Sequence, residues 1–202
     1  MRLIASPGAR IELPRYRTRV RSGPGFTLIE MLIVMAIVGV LSAIAVAGYQ
    51  HARIRGNETS AIASLDAINK AQFAFAQACG NQRYAATLVS LGVPVPGSGD
   101  AFLSPDLTQG DPLSKSGYLI GMSGAEAVEG VMTCTGETAV TGYQVTADPL
   151  TPAFSGTRYF GTNADGVIYE DGVSFTGNMP ERGAPSHGLE IKSSATAAPM
   201  AP

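Results

Sequence analysis

The chain has 202 residues, is only 15% charged, and contains 24 glycines, 13 prolines and no tryptophan. That length and composition exclude two large domains, a coiled coil and a disordered acidic chain, and leave one loop-rich domain with an apolar segment attached. The net charge of −2 hides an asymmetry: six arginines and one acid precede Gly25, about +5, which leaves about −7 and eight scattered basic residues after it, a balance that argues against nucleic acid as a primary partner.

The N-terminal arginines (Arg2, Arg10, Arg15, Arg17, Arg19, Arg21) lie just before an apolar run, and the positive-inside rule keeps such a flank cytoplasmic. The run reads GPGFTLIEMLIVMAIVGVLSAIAVAGYQ from Gly23 to Gln50. Its nineteen uncharged residues at 31–49 approach the ~20 that cross a bilayer as a helix. Glu30 is the anomaly, because a carboxylate at the centre of a bilayer costs about 2.5–3.5 kcal/mol by insertion scales. An ordinary signal peptide cut after Ala45-x-Ala47, or a plain signal anchor, leaves that acid without a partner. Cleavage between Gly25 and Phe26 would expose an amino group one helical turn from Glu30, on its own chain or on a neighbouring one.

Gly25-Phe26-Thr27-Leu28-Ile29-Glu30, followed by an apolar helix, closely resembles the class III signal of type IV pilins and type II secretion pseudopilins. The resemblance directly covers about 25 residues. It implies that a prepilin peptidase cuts after Gly25, that Phe26 becomes the methylated N-terminus, and that Glu30 pairs with an N-terminus during assembly. It further implies an inner-membrane precursor with a periplasmic head, held by lipid until an assembly machinery polymerises it as a homo-oligomeric helical filament. The filament is an extracellular pilus or, alternatively, a periplasmic pseudopilus of a type II secretion system. Many members of the family carry a proline midway along this helix. Here Ala47 stands in its place, with Gly39 and Gly48 as the flexible points.

Helical periodicity continues beyond the apolar run. Ala61, Leu65, Ile68, Gln72, Phe75 and Cys79 share one face, and Gly80 reads as a C-cap. Phe73 falls off the stripe, flanking the core or facing a neighbouring subunit. A helix over 26–79 would run ~80 Å, with Gly56-Asn57 the expected kink or break. Residues 83–92 suggest a short helix, 93–116 a loop with one turn near Ser104-Pro105, and 117–122, 131–136, 141–147, 157–162 and 167–171 strands. Asn163-Ala164-Asp165-Gly166 joins the last two strands as a hairpin.

The expected fold is therefore α+β: a long N-terminal helix packed on an antiparallel sheet of four or five strands. The segments are a cleaved leader (1–25), a filament-core or membrane helix (26–49), its amphipathic continuation (50–80), a head (81–180) and a disordered tail (181–202). Cys79 and Cys134 are expected to form a disulfide between helix end and strand, with two buried thiols the alternative. Asn163, Asp165 and Asp171 have oxygens suited to calcium, but a hairpin turn explains the same residues without an ion. His51 and His187 have no neighbours at metal-ligand spacing, and no nucleophile motif occurs, so neither catalysis nor a cofactor is expected. Outside the family, the competing reading is a monomeric periplasmic domain released from an ordinary signal peptide or held by an ordinary anchor.

Overall fold

A computed structural model describes residues 25–193 of the chain. The expected leader, apart from Gly25, and the last nine residues of the expected tail lie outside the described residues. Contacts divide the chain into two units between Ile44 and Ala45.

The described part of the first unit is the start of helix α1 (Leu28–Ala78). Thr27 caps it: its hydroxyl accepts the Glu30 N–H at 3.3 Å, and its carbonyl accepts the Met31 N–H at 3.3 Å. Thr27 and Glu30 thus hold the first and last positions of a Thr-x-x-Glu capping sequence, and the acid lies in the turn where the helix dipole favours negative charge.

The second unit holds the rest of α1 and everything after it. The helix continues through Gly56-Asn57, so the break considered there is absent. All six stripe residues are buried, from 0% to 6% exposed, and Phe73 is half-buried beside them. The helix ends differently from expectation. Gly80 donates to the Phe75 carbonyl at 2.7 Å, but the left-handed residues are Asn81 and Gln82. Glycine is needed at 80 because a Cβ there would lie 2.1 Å from the Arg83 carbonyl oxygen.

Beyond the helix, Tyr84 exchanges two backbone hydrogen bonds of 3.0 Å with Val140 instead of entering a helix. Helix α2 (Leu88–Leu91) starts later, behind an N-cap at Thr87. Burial of Tyr84, Leu88 and Leu91 matches the face expected of that segment. The turn near Ser104 is a 3-10 turn, Pro105–Leu107.

Eight strands follow: β1 (Leu113–Lys115), β2 (Tyr118–Gly124), β3 (Ala127–Met132), β4 (Thr138–Val140), β5 (Tyr143–Pro149), β6 (Tyr159–Asn163), β7 (Val167–Asp171) and β8 (Leu189–Ser193). Six make one antiparallel sheet in the order β1-β2-β5-β6-β7-β8, and β3-β4 form a separate ribbon. Alternation along β2 and β5 turns Tyr118, Ile120, Met122, Tyr143, Val145 and Ala147 inward, into one core with the α1 stripe. The β6–β7 hairpin pairs Thr162 with Ile168 across the Asn163–Gly166 turn, as its sequence indicates.

The opposite face of β6–β7 is also covered. Phe175 and Met179 pack with Tyr169, Tyr159 and Val167 into a second small core, and Gly161 leaves room for them. Over its described residues, 181–193, the expected disordered tail is instead held in the fold. Residues 181–188 are held by side chains, and 189–193 add β8 to the sheet beside β7. An uncovered Tyr- and Val-bearing sheet face would stay wet, and burying it offsets the entropy of ordering this polar stretch.

Candidate functional site

Every large apolar side chain from Phe26 to Tyr49 whose exposure is described is 45% to 84% exposed. This is an apolar helical surface left uncovered by the described residues of its own chain, which in a water-facing protein marks a membrane or protein interface. α1 is the one helix among the described residues long and apolar enough to cross a membrane. Glu30 is exposed on this surface. Phe26 follows Gly25 through an ordinary peptide bond in the uncut chain, so the amine that would answer Glu30 exists only after cleavage.

The calcium candidates do different work. Asn163 is fully buried; its amide donates to the carbonyls of Pro180 at 3.1 Å and Gly183 at 2.7 Å, while its oxygen accepts the Asp165 N–H at 3.1 Å. Asp165 accepts the Gly183 N–H at 2.6 Å, so the β6–β7 turn clasps the 180–183 segment. Asp171, at the far end of β7, bonds His187 Nδ1 at 2.8 Å and the Gly172 N–H at 2.6 Å. The His187 contact and that N–H hold the Asp171 carboxyl below its ordinary range. Among the described residues no three His, Cys, Asp or Glu side chains cluster as metal ligands. His187, placed in the tail by sequence, stacks on Phe175 with ring centroids 4.9 Å apart.

Cys79 and Cys134 form a disulfide with their Cα atoms 4.8 Å apart. Cys134 lies in the turn between β3 and β4 and not in a strand, and its N–H also donates to the Cys79 carbonyl at 2.9 Å. The bond therefore ties the end of α1 to the two-stranded ribbon, not to the large sheet.

Residues 24–46 match the family described as the prokaryotic N-terminal methylation motif. That span opens just before Gly25, contains Glu30, and coincides with the exposed apolar surface. Over this N-terminal segment the chain is similar to type IV pilins. It is 42% identical over 52 residues to a fimbrial protein of Pseudomonas aeruginosa, covering 26% of this chain and 34% of that one. It is 38% identical over 65 residues to the type IV major pilin protein PilA of Myxococcus xanthus, covering 32% and 28%. With the type IV wide pilus major component PilA4 of Thermus thermophilus it shares 39% identity over 77 residues, 37% and 57% of the two chains. The matched region thus spans about a third of the first of these relatives and under two thirds of each. All three are named as fimbrial or pilus components, not enzymes. No solved structure matches the chain.

Of the residues that join helix to head in this chain, only Gln72 was singled out by sequence, as a member of the stripe. Glu58 is 4% exposed and accepts the Thr157 N–H at 2.9 Å and hydroxyl at 2.8 Å, and the Arg158 guanidinium at 2.8 Å. Arg158 also bonds Glu170 and lies over the Phe160 ring, 5.3 Å from its centroid. Burial pushes the Glu58 carboxyl up, but the Thr157 donors and the guanidinium outweigh it and leave it below its ordinary range. Higher on α1, Asn69 bonds Thr162 at 2.9 Å and accepts the Tyr143 hydroxyl at 3.0 Å. Gln72, the one polar member of the stripe, pairs with both the N–H and the C=O of Ala85 at 2.9 Å. The available signal was polarity: Glu58, Asn69 and Gln72 interrupt or border an apolar stripe, where a buried polar group needs a partner.

Proposed function

We propose that this chain is a structural pilin subunit, made as a prepilin, cut between Gly25 and Phe26, methylated on Phe26, and polymerised through its N-terminal helix. The observation that carries the reading is the uninterrupted exposed apolar helix surface at 26–49, headed by Glu30 directly behind a Gly25-Phe26 junction. Before assembly, lipid covers that surface and the basic leader holds the chain's N-terminus in the cytoplasm. Prepilin peptidase supplies the new amine, and the inner-membrane assembly machinery moves the subunit from bilayer to filament. In the filament, neighbouring helices replace lipid, and Glu30 meets the Phe26 amine of a neighbouring or the same subunit. A charge buried in lipid is strongly penalised unless paired, so each incoming subunit is favoured where the two charges meet in register. The names of the relatives support an extracellular pilus over a secretion pseudopilus.

Two measurements test this. Mass spectrometry of the mature protein is expected to give an N-terminal methyl-phenylalanine at position 26; a chain starting at Gly48 overturns the reading in favour of an ordinary signal peptide. Glu30→Ala is expected to leave membrane insertion intact and to abolish filament yield, and normal filaments in that variant would sink the docking role.

A further inference from the structure

The exit of α1 from its apolar run bears a second surface that the pilin reading leaves unused. Tyr49 is the last residue of that run and is 69% exposed. Within the second unit, the turns of α1 around Ala45 to Ile54 and the loop 150–156 between β5 and β6 line an apolar groove of about 550 Å³. Phe154 lines that groove and is 72% exposed, and Leu150 at the start of the same loop is 50% exposed. The loop is built rigidly. Ser155 accepts the Asn57 amide at 2.8 Å through its carbonyl, its hydroxyl accepts the Thr151 N–H at 3.0 Å, and Ala153 takes a left-handed φ of 68°. Two large apolar side chains are thus left exposed on a loop fixed at the level of Tyr49 on α1.

The charges around that height are one-sided. Arg53 and Arg55 are exposed, and neither makes an ion pair among the described residues. No acid occurs between Glu30 and Glu58, and Glu58 is buried against Arg158. This makes a basic collar around α1 on an otherwise acidic head, with Arg53 lining the groove beside Tyr49 and Phe154 and Arg55 on another side of the helix. An aromatic ring with arginines beside it is the pattern that settles at the headgroup level of a bilayer, where arginine stems lie along apolar surface and their heads reach phosphates.

We propose that loop 150–156, with Tyr49, Arg53 and Arg55, is a second membrane contact. Phe154 and Leu150 insert at the headgroup boundary, the two arginines bind anionic lipid phosphates, and the unassembled head is held against the bilayer at one orientation. The proposal rests on the anchor reading above, and its test separates the two.

The chain lacks tryptophan, so a single introduced one is a clean reporter. Three full-length variants, Met35→Trp, Phe154→Trp and Met132→Trp, are reconstituted in vesicles of phosphatidylethanolamine and phosphatidylglycerol containing brominated acyl chains. Met132 lies on the ribbon that is disulfide-bonded to the far end of α1 and serves as the water-exposed reference. Strong quenching at position 35, blue-shifted and clearly quenched emission at 154, and neither at 132 support the collar. Adding Arg53→Gln and Arg55→Gln to Phe154→Trp is expected to reduce quenching in anionic vesicles and to leave it unchanged in purely zwitterionic ones. Quenching at 35 with water-like emission at 154 overturns the collar and leaves the anchor standing. Absence of quenching at 35 overturns the anchor, and the collar with it. A blue shift at 154 that ignores the brominated lipid and grows with protein-to-lipid ratio assigns the loop to a second copy of the chain and also overturns the collar.

Discussion

Glu58 carries a charge at a site only 4% exposed, and the groups around it decide whether that charge holds the head to the helix or weakens it. Four donors, two from Thr157 and two from Arg158, make the ionised form the favoured one in the folded protein. Removing Arg158 takes away the countercharge and leaves the carboxylate with the two Thr157 donors alone. Because the arginine side chain is itself 42% exposed, the loss is set below that of a fully buried pair. Arg158→Ala is expected to lower stability by about 2 kcal/mol, read as a reduced urea midpoint with unchanged slope. The pH dependence follows from the depressed carboxyl. The unfolded chain binds a proton near pH ~4.3 and the folded one only at lower pH. The stabilisation is therefore complete above that range and is lost as pH falls through the folded value. Glu58→Gln should flatten the decline of stability on acidification below pH ~4.3, and an unchanged acid limb in denaturation curves would contradict this.

At the scale of elements, the question is how a 51-residue helix is joined to a sheet whose strands lie wholly after residue 112. Its stripe supplies apolar contact, with Leu65, Ile68 and Phe75 each 0% exposed. Direction and register come from polar pairs. Asn69 meets β6 through Thr162, and Gln72 closes a two-bond pair with Ala85 that a leucine could not replace without orphaning both backbone groups. The disulfide closes 55 residues of sequence separation between the helix end and the β3–β4 turn. In the chain-entropy account such a closure contributes ~4 kcal/mol. The Cys79→Ser, Cys134→Ser double variant is accordingly expected to lose roughly that much in chemical denaturation, and a loss under ~1 kcal/mol would mean that the reduced, unfolded chain is already compact.

For the whole molecule, the two units differ in what covers their apolar groups. All residues of the main core lie between Ala61 and Ile168, and none comes from the apolar half of α1. The main core of the head is therefore built without the apolar half of α1, whose large side chains are exposed. A fragment of residues 54–202 is expected to be soluble and monomeric and to melt cooperatively, whereas the full chain partitions into membranes. Aggregation of the fragment, or its failure to melt as one unit in calorimetry, would show that the first half contributes to the head's fold.

The anchoring segment, the helix stripe and the β6–β7 hairpin were legible in the residue order because each is a local pattern. An uncharged run of bilayer length, a 3.6-residue period and a turn between two apolar strands need no partner to be recognised. Short strands were not legible. β1 and β4 have three residues each and acquire their form only by pairing with β2 and β3. β8 does alternate, as Leu189-Glu190-Ile191-Lys192, but it sits in Gly- and Pro-containing sequence whose composition argued for disorder. Burial of Phe175 and Met179 against β6–β7 orders that stretch, and this contact joins residues that are distant in the chain. The same holds for Asn163, Asp165 and Asp171, whose oxygens suited an ion but whose order already read as a hairpin turn, and which in space bond to backbone and imidazole. Residue order by itself determined the apolar segment, its acid and the two-part plan, since hydrophobicity and helical period are properties of neighbours. Tertiary structure alone decided which polar groups are paired and where residues 181–193 dock, because desolvation is set by whatever folds over a group and not by the residues beside it.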